Sequence, residues 1–421
     1  MAQVRKAIGA GCVLVALIAN PWVIASFVVL DGHLDHPGRV LAVEAVLLVV
    51  GISLLLWKSK PATIDPEKRS RQNLFAVITF AITGLFAIGA AEIVLRIAVS
   101  PLTVLDGDRW QETNWRLEQD QGESDKSLGY SFDQFDRKLG WVPAPNYDRG
   151  TVKTNSLGIR ADREYSFDPP EGVSRIVAVG DSFIWGEGTW TSPISNQEMF
   201  TAALERKRER TEVLNLGVHG WGTDQQYLYL KDLGVRFQPD VVLLGFYEEN
   251  MKRNGMTFFA FAKPYFDLID GTLALRGVPV PSLEEIRNRP LKMPSFYLGA
   301  LFRKSLGYVL DKTTLRPVVG RSDWQITRAV FAAARREAEA ADASFVLIYI
   351  PFGVSEHPSA IERAVVDWSR DTETHLVNMR EVFAAQPLEE WGDFYDGHWT
   401  ARGHEVAAQA INQFILDAEL L

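Results

Sequence analysis

Three long apolar stretches in the first hundred residues constrain this chain more than anything that follows them. Ala7–Leu30 carries no charge over 24 residues, Val40–Trp57 has one acid, Glu44, in 18, and Leu74–Val99 has only Glu92 and Arg96, near its end. At a rise of about 1.5 Å per residue, each is about long enough to cross a hydrocarbon core. A cleaved signal peptide would account for the first stretch but not for the second and third. Buried helices of a soluble protein are the other reading, although three such runs in succession rarely find enough soluble core. The expectation is a membrane domain, 1–100, with three transmembrane helices at about 7–30, 40–57 and 74–97.

Lysine and arginine give the orientation. Arg5 and Lys6 precede the first stretch, and KSKPATIDPEKRSRQ, with five basic residues, joins the second to the third. The intervening loop, DGHLDHPGR, is mostly acid and histidine, and the segment after the third, LDGDRWQETNWRLEQDQGESDK, has seven acids against three bases. Basic segments stay on the cytoplasmic side. The expected location is the bacterial inner membrane, N-terminus in the cytoplasm, with everything after Val99 in the periplasm. Glu44 reads either as a partner or proton site or as an interfacial acid reaching for water. Glu92 and Arg96, four apart, read as a self-neutralising pair near the outer interface.

The 421 residues have a net charge of −9, which argues against a nucleic-acid partner. Cys12 is the only cysteine, so a disulfide within one chain and a cysteine-ligated metal are both excluded. His33 and His36 lie beside Asp31 and Asp35, but that spacing is weak for a metal site, and a solvated loop is the favoured reading. No metal and no cofactor is expected.

Residues 101–172 form a lead-in rich in turn residues, with short strand-like pieces. From 173 the pattern alternates. RIVAVG, EVLNLG, DVVLLGFY, SFVLIYI and the weaker HLVNM read as strands. Between them, Ser195 with Glu198 and Ser322 with Gln325 read as capping boxes for helices near 196–207 and 322–341. Thr223 reads as the cap of a helix ending at Gly234, and Thr400 as the cap of a last helix with Val406, Ala410, Ile411 and Phe414 on its apolar face. Continuous apolar strands separated by helices imply a parallel sheet covered on both faces, with ligands bound beyond the strands' carboxyl ends. An insertion at about 251–321, containing FFAFAKPYF, supplies aromatics either for an acyl or sugar pocket or for a satellite core.

The polar residues that follow the strands carry the chemistry. Ser182 follows the first strand in Gly180-Asp181-Ser182; alone it is equally a turn serine. NLGVHGWG ends the second strand with Gly217, Gly220 and Gly222, where a backbone N–H can meet an oxyanion. GFYEEN ends the third with Asn250, and YDGHWTARGHEVAA carries Asp396 and His398. A serine nucleophile needs a base, an acid to fix the base's tautomer, and donors for the tetrahedral oxygen. All are available at one predicted sheet edge.

These blocks, VAVGDSF, NLGVHGWG, GFYEEN and DGHWTARGH, with the lead-in TNSLGIR, resemble those of the SGNH hydrolases, or GDSL esterases, in order and near spacing over about residues 140–421. The resemblance implies a three-layer α/β/α, flavodoxin-like domain, 173–421, with a five-stranded parallel sheet. It implies Ser182 as nucleophile, His398 as base and Asp396 as acid, Asp393 being the other candidate. It implies an oxyanion hole of the Ser182 N–H, Gly220 and Asn250. His219, Trp221 and Trp399 read as substrate contacts, His219 equally as a structural residue, and His404 as packing or capping. The chain departs from the family in Phe183, where leucine is usual, in Met251, where aspartate would support Asn250, and in placing the acid two residues before the histidine rather than three.

Two functions follow. One is a membrane-anchored extracytoplasmic serine esterase or O-acyltransferase, acting on acyl esters of envelope glycans or lipids through an acyl-serine, with a membrane acyl-donor protein as a further partner where the acyl group is carried across the membrane. The other is a non-catalytic subunit or scaffold of a membrane complex.

Overall fold

Five runs of aliphatic residues form a single parallel sheet because each buries both of its faces. They are β1 (Ser174–Gly180), β2 (Thr211–Gly217), β3 (Val241–Tyr247), β4 (Ser344–Ile350) and β5 (His375–Asn378). Their order across the sheet is β5-β4-β3-β1-β2, all pairs parallel. Strand order therefore reverses between β1 and β3, and the crevice at their carboxyl ends is where such sheets bind ligands. The protein is seen here as a computed structural model. It describes residues 132–189, 193–290, 293–312 and 322–421; before these it describes 37–56, 107–120 and positions scattered over 6–16 and 74–105.

Side chains alternate along each strand and build two cores. Val177, Val179, Leu214, Leu216, Val242, Leu244 and Leu347 face one side. There they meet Leu228 and Leu230 of one helix (Thr223–Asp232) and Val330, Phe331 and Ala334 of another (Ser322–Ala340). Ile176, Ala178, Val213, Leu243, Val346 and Ile348 face the other, against Phe200, Leu204, Phe383, Val406, Ile411 and Ile415. Each buried aliphatic of this size contributes on the order of 1.5–3 kcal/mol. The result is three layers, helix, sheet and helix.

Helix boundaries follow the expected caps with two differences. Ser195 and Glu198 form their capping box, but it opens a 3₁₀ turn, Asn196–Glu198, before the helix Phe200–Arg206. The helix at 223 is preceded by Gly222 as cap rather than by Thr223, whose hydroxyl is buried within the first turn. Thr400 caps the last helix, Ala401–Asp417, accepting from Gly403 N at 3.1 Å. That helix buries Val406 and Ile411 as expected, with Ala407, Ala408 and Ile415, while Ala410 and Phe414 are only half-buried.

The chain divides into two units, 1–113 with 290–315, and 114–289 with 316–421. The insertion is thus shared. Its hairpin, Tyr265–Ile269 with Thr272–Arg276, and helix Leu283–Asn288 belong to the unit with the sheet, whereas helix Tyr297–Lys312 belongs to the first unit. Phe258, Phe261 and Phe266 are buried, the first two edge-on to Trp115, and they join the core on the Val177 side of the sheet rather than forming a separate satellite core.

In the first unit, Pro37–Leu56 is helical over 20 residues, with side chains described only from Glu44 on. Backbones at Gly9 and Gly51 meet so closely that a Cβ on Gly9 would stand 2.7 Å from the Gly51 carbonyl oxygen. Glu44 is buried. Glu92 pairs with Arg96 as expected, and also accepts from the N–H groups of Tyr297 and Leu298 at 2.9 Å, so it caps the helix from the insertion. Among the described residues no helix is long and apolar enough to cross a membrane. Much of the expected spans 7–30 and 74–97, and the histidine loop at 31–36, lies outside the described residues.

Candidate active site

Ser182 opens a four-residue helical turn, α1 (Ser182–Trp185), directly beyond β1. Asp181 caps it by accepting from Phe183 N at 3.1 Å, and Gly186, in the left-handed region at φ 83°, closes it with its N–H on the Ser182 carbonyl. The turn is seated on three glycines. A Cβ on Gly180 or Gly245 would strike the Ile184 side chain, and one on Gly217 would stand 2.2 Å from Trp185 N. Gly180 and Gly217 are therefore small because α1 lies on them, rather than to admit a ligand. Gly220 differs, with φ at +73° and its N–H without an acceptor among the described residues.

His398 arrives from the other end of the chain on a tight hairpin, Tyr395–Asp396 with His398–Trp399, turning at Gly397. Its Nε2 lies 2.8 Å from Ser182 Oγ. Glu187 Oε2 lies 3.8 Å from the same nitrogen. Phe183 packs on the imidazole at 4.9 Å between centroids and also touches Tyr247, Tyr395 and Trp399. The aromatic in place of leucine is thus the floor under the histidine.

The register opposes Asp396 to His398 across Gly397, but Asp396 is exposed and makes no side-chain hydrogen bond among the described residues. Asp393 is also exposed; its backbone carbonyl accepts from the Thr400 hydroxyl. Asn250, at the start of a short helical turn (Asn250–Arg253) beyond β3, is fully buried. With the Gln226 amide nitrogen towards Gly245 O, its oxygen accepts from Asp181 N at 3.3 Å and from Asn250 Nδ2 at 3.1 Å. Arg253 Nη1 donates to Asn250 Oδ1 at 3.1 Å. Support for Asn250 therefore comes from Arg253, while Met251 sits in the apolar core. Burial raises the Asp181 carboxyl above its ordinary range, against the opposing pull of Arg253 and the Phe183 N–H.

The three expected substrate contacts are corrected by burial. Trp399 and Trp221 have no exposed surface; Trp399 lies in the core, and the Trp221 indole donates to Trp141 O at 3.1 Å. His219 is 2% exposed and shares a 2.8 Å hydrogen bond with buried Asp133, while its carbonyl accepts from the Trp141 indole. All three back the site rather than line it. His404 is structural, as expected. It is buried, its Nδ1 accepts from Phe200 N at 3.2 Å, and burial pushes its pKa down to about 3.

Several residues of the site carried no signal of their own. Arg160, in TNSLGIR, is buried and donates to the carbonyls of Trp185, Gly186 and Ile194 and to Asn196 Oδ1, which fixes both the end of α1 and the loop after it. Burial lowers its pKa to about 10, so it stays charged at neutral pH. Lys263, from the insertion, is buried against Asp224. Burial lowers the lysine and raises the aspartate, each opposed by its partner's charge. Among the described residues no group of three or more acids, histidines or cysteines could hold a metal.

No protein-family model matches the chain, and no curated protein matches it. It is similar to solved structures at low identity. An esterase, EstA from Pseudoalteromonas sp., is 14% identical, covering 58% of this chain and 98% of its own, with a TM-score of 0.32. A GDSL-like lipase from Bacteroides thetaiotaomicron is 12% identical, covering 59% and 91%, with a TM-score of 0.34. A catalytic mutant of the acetylxylan esterase Axe2 from Geobacillus stearothermophilus is 12% identical, covering 57% and 94%, with a TM-score of 0.33.

Proposed function

We propose that the chain is a membrane-anchored, extracytoplasmic serine esterase or O-acyltransferase acting on acyl esters of envelope glycans or lipids. The observation that carries this reading is the 2.8 Å contact between His398 Nε2 and Ser182 Oγ, made across 216 positions of sequence at the crevice of a parallel sheet. His398 takes the serine proton as Oγ attacks the acyl carbonyl. The Ser182 and Gly220 N–H groups, with Asn250, meet the oxygen that becomes negative. The tetrahedral adduct collapses to an acyl-serine, and His398 returns the proton to the departing alcohol oxygen. Water then gives hydrolysis, and a sugar or lipid hydroxyl gives transfer, by the same steps in reverse.

Anchoring is supported by the first unit. Large apolar side chains such as Leu56, Leu85 and Phe86 are 70–80% exposed there, a surface suited to lipid. The positive charges of the N-terminus and of the loop at 58–72 support a reading with the sheet unit outside the cytoplasm. A non-catalytic scaffold is the second reading; the complete burial of Asn250 favours it.

The test uses the full chain in detergent or nanodiscs with acetylated xylan and with p-nitrophenyl acetate. Release of acetate that Ser182→Ala abolishes supports hydrolysis. Acetylation of an added glycan acceptor without net release supports transfer. Neither activity, with wild type and Ser182→Ala alike in a membrane complex, supports the scaffold.

A further inference from the structure

An amide helps an oxyanion only when its N–H edge is held towards it. An amide carries one acceptor edge and one donor edge, and a guanidinium has donors alone, so an arginine can bind only the oxygen edge. Arg253 binds that oxygen edge of Asn250, while the Gln226 oxygen accepts from Asn250 Nδ2 at 3.1 Å through one of its two N–H groups. Arg253 Nη1 lies 3.1 Å from Asn250 Oδ1, 3.4 Å from Asp181 Oδ2 and 3.4 Å from the Trp221 carbonyl. The guanidinium also lies 4.5 Å over the Phe259 ring, and a Cβ built on Gly220 would stand 3.6 Å from that ring. The three segments that would supply the oxyanion donors, Asp181–Ser182, Gly220–Trp221 and Asn250, therefore all reach one side chain.

We infer that Arg253 is a positioning residue of the oxyanion hole, orienting the Asn250 amide and tying the three donor segments together. The inference rests on the esterase reading above. It separates Arg253 from an ordinary ion pair with Asp181, because an ion pair would act on stability and a positioning residue acts on turnover through Asn250. The planar fork suits this task, and lysine, a point charge, does not reproduce it.

The test is a double-mutant cycle on p-nitrophenyl acetate with the full chain in detergent. Arg253→Met is expected to lower kcat about 10- to 100-fold with KM within about twofold, less than the roughly 10²- to 10³-fold cost of removing an oxyanion donor outright. In an Asn250→Ala background the same change should cost less than about threefold, because the two residues act as one unit. Arg253→Gln keeps an N–H for Asn250 Oδ1 and should recover part of the loss; it replaces Arg253→Met in the cycle if that variant does not fold. Equal losses in both backgrounds, or a loss confined to KM or to thermal stability, overturn the inference. Ser182-dependent turnover with Arg253→Met unimpaired sinks the inference alone. A wild-type chain without Ser182-dependent turnover sinks the esterase reading and the inference with it.

Discussion

Replacing Asp396 with asparagine tests how the histidine is held. The hairpin register opposes the two residues across Gly397, and directly opposed positions bring Cβ atoms to about 5 Å. Asp396 is exposed and makes no side-chain hydrogen bond among the described residues, so on the esterase reading its carboxylate would act on a developing imidazolium through solvent-screened Coulomb attraction alone. At about 5 Å, and an effective dielectric of about 40, between bulk water and a partly buried pair, that attraction is about 1.7 kcal/mol. Asp396→Asn should therefore lower kcat/KM about 5- to 30-fold. A buried, hydrogen-bonded acid loses about 10⁴-fold on the same change. The assay is p-nitrophenyl acetate turnover by the full chain at low salt and again at about 1 M salt, where the screening length falls to about 3 Å and the difference should shrink. A loss above about 10³-fold, or one insensitive to salt, would show a carboxylate bonded to the ring and refute the reasoning; so would no loss at all.

Two further outcomes concern stability. Arg160→Met strips donors from three buried carbonyls and the Asn196 amide oxygen. Orphaned groups cost about 1–3 kcal/mol each before relaxation, so a loss of about 4 kcal/mol, or roughly 10 °C in Tm, is expected, and an unchanged melting curve would contradict it. His404 is held neutral, with its pKa pushed from 6.5 to about 3. Below about pH 6.5 the unfolded chain takes up a proton that the folded one refuses. Its contribution is therefore full above that pH and falls by about 1.4 kcal/mol per unit towards pH 3. Melting curves from pH 7 to 4.5 should flatten for His404→Gln relative to wild type; identical slopes would count against the assignment.

The strands were legible because a run such as VVLLGFY has no polar residue to expose, and Thr400 was legible because its cap is local. That Ser182 and His398 meet was legible because each stands in a block at a strand end or before a helix. Arg160 and Arg253 could not be placed, since an isolated arginine in a polar segment does not say which carbonyls will surround it. The tryptophans misled for a related reason. HGWG and DGHW look like open loops, but the indoles of Trp221 and Trp399 turn into the cores while their neighbours face the site. The insertion is split between units, and periodicity along Tyr297–Lys312 cannot tell which partner its apolar face will meet.

Tandem mass spectrometry of the full chain after reaction with a fluorophosphonate tests the central claim most directly, because the reagent needs an activated hydroxyl and nothing of the natural substrate. A single adduct on Ser182, absent from Ser182→Ala and at least 10³-fold slower in His398→Ala, is the result predicted from the Ser182–His398 contact. Folded protein that takes no adduct, or takes it on another residue, would contradict the account.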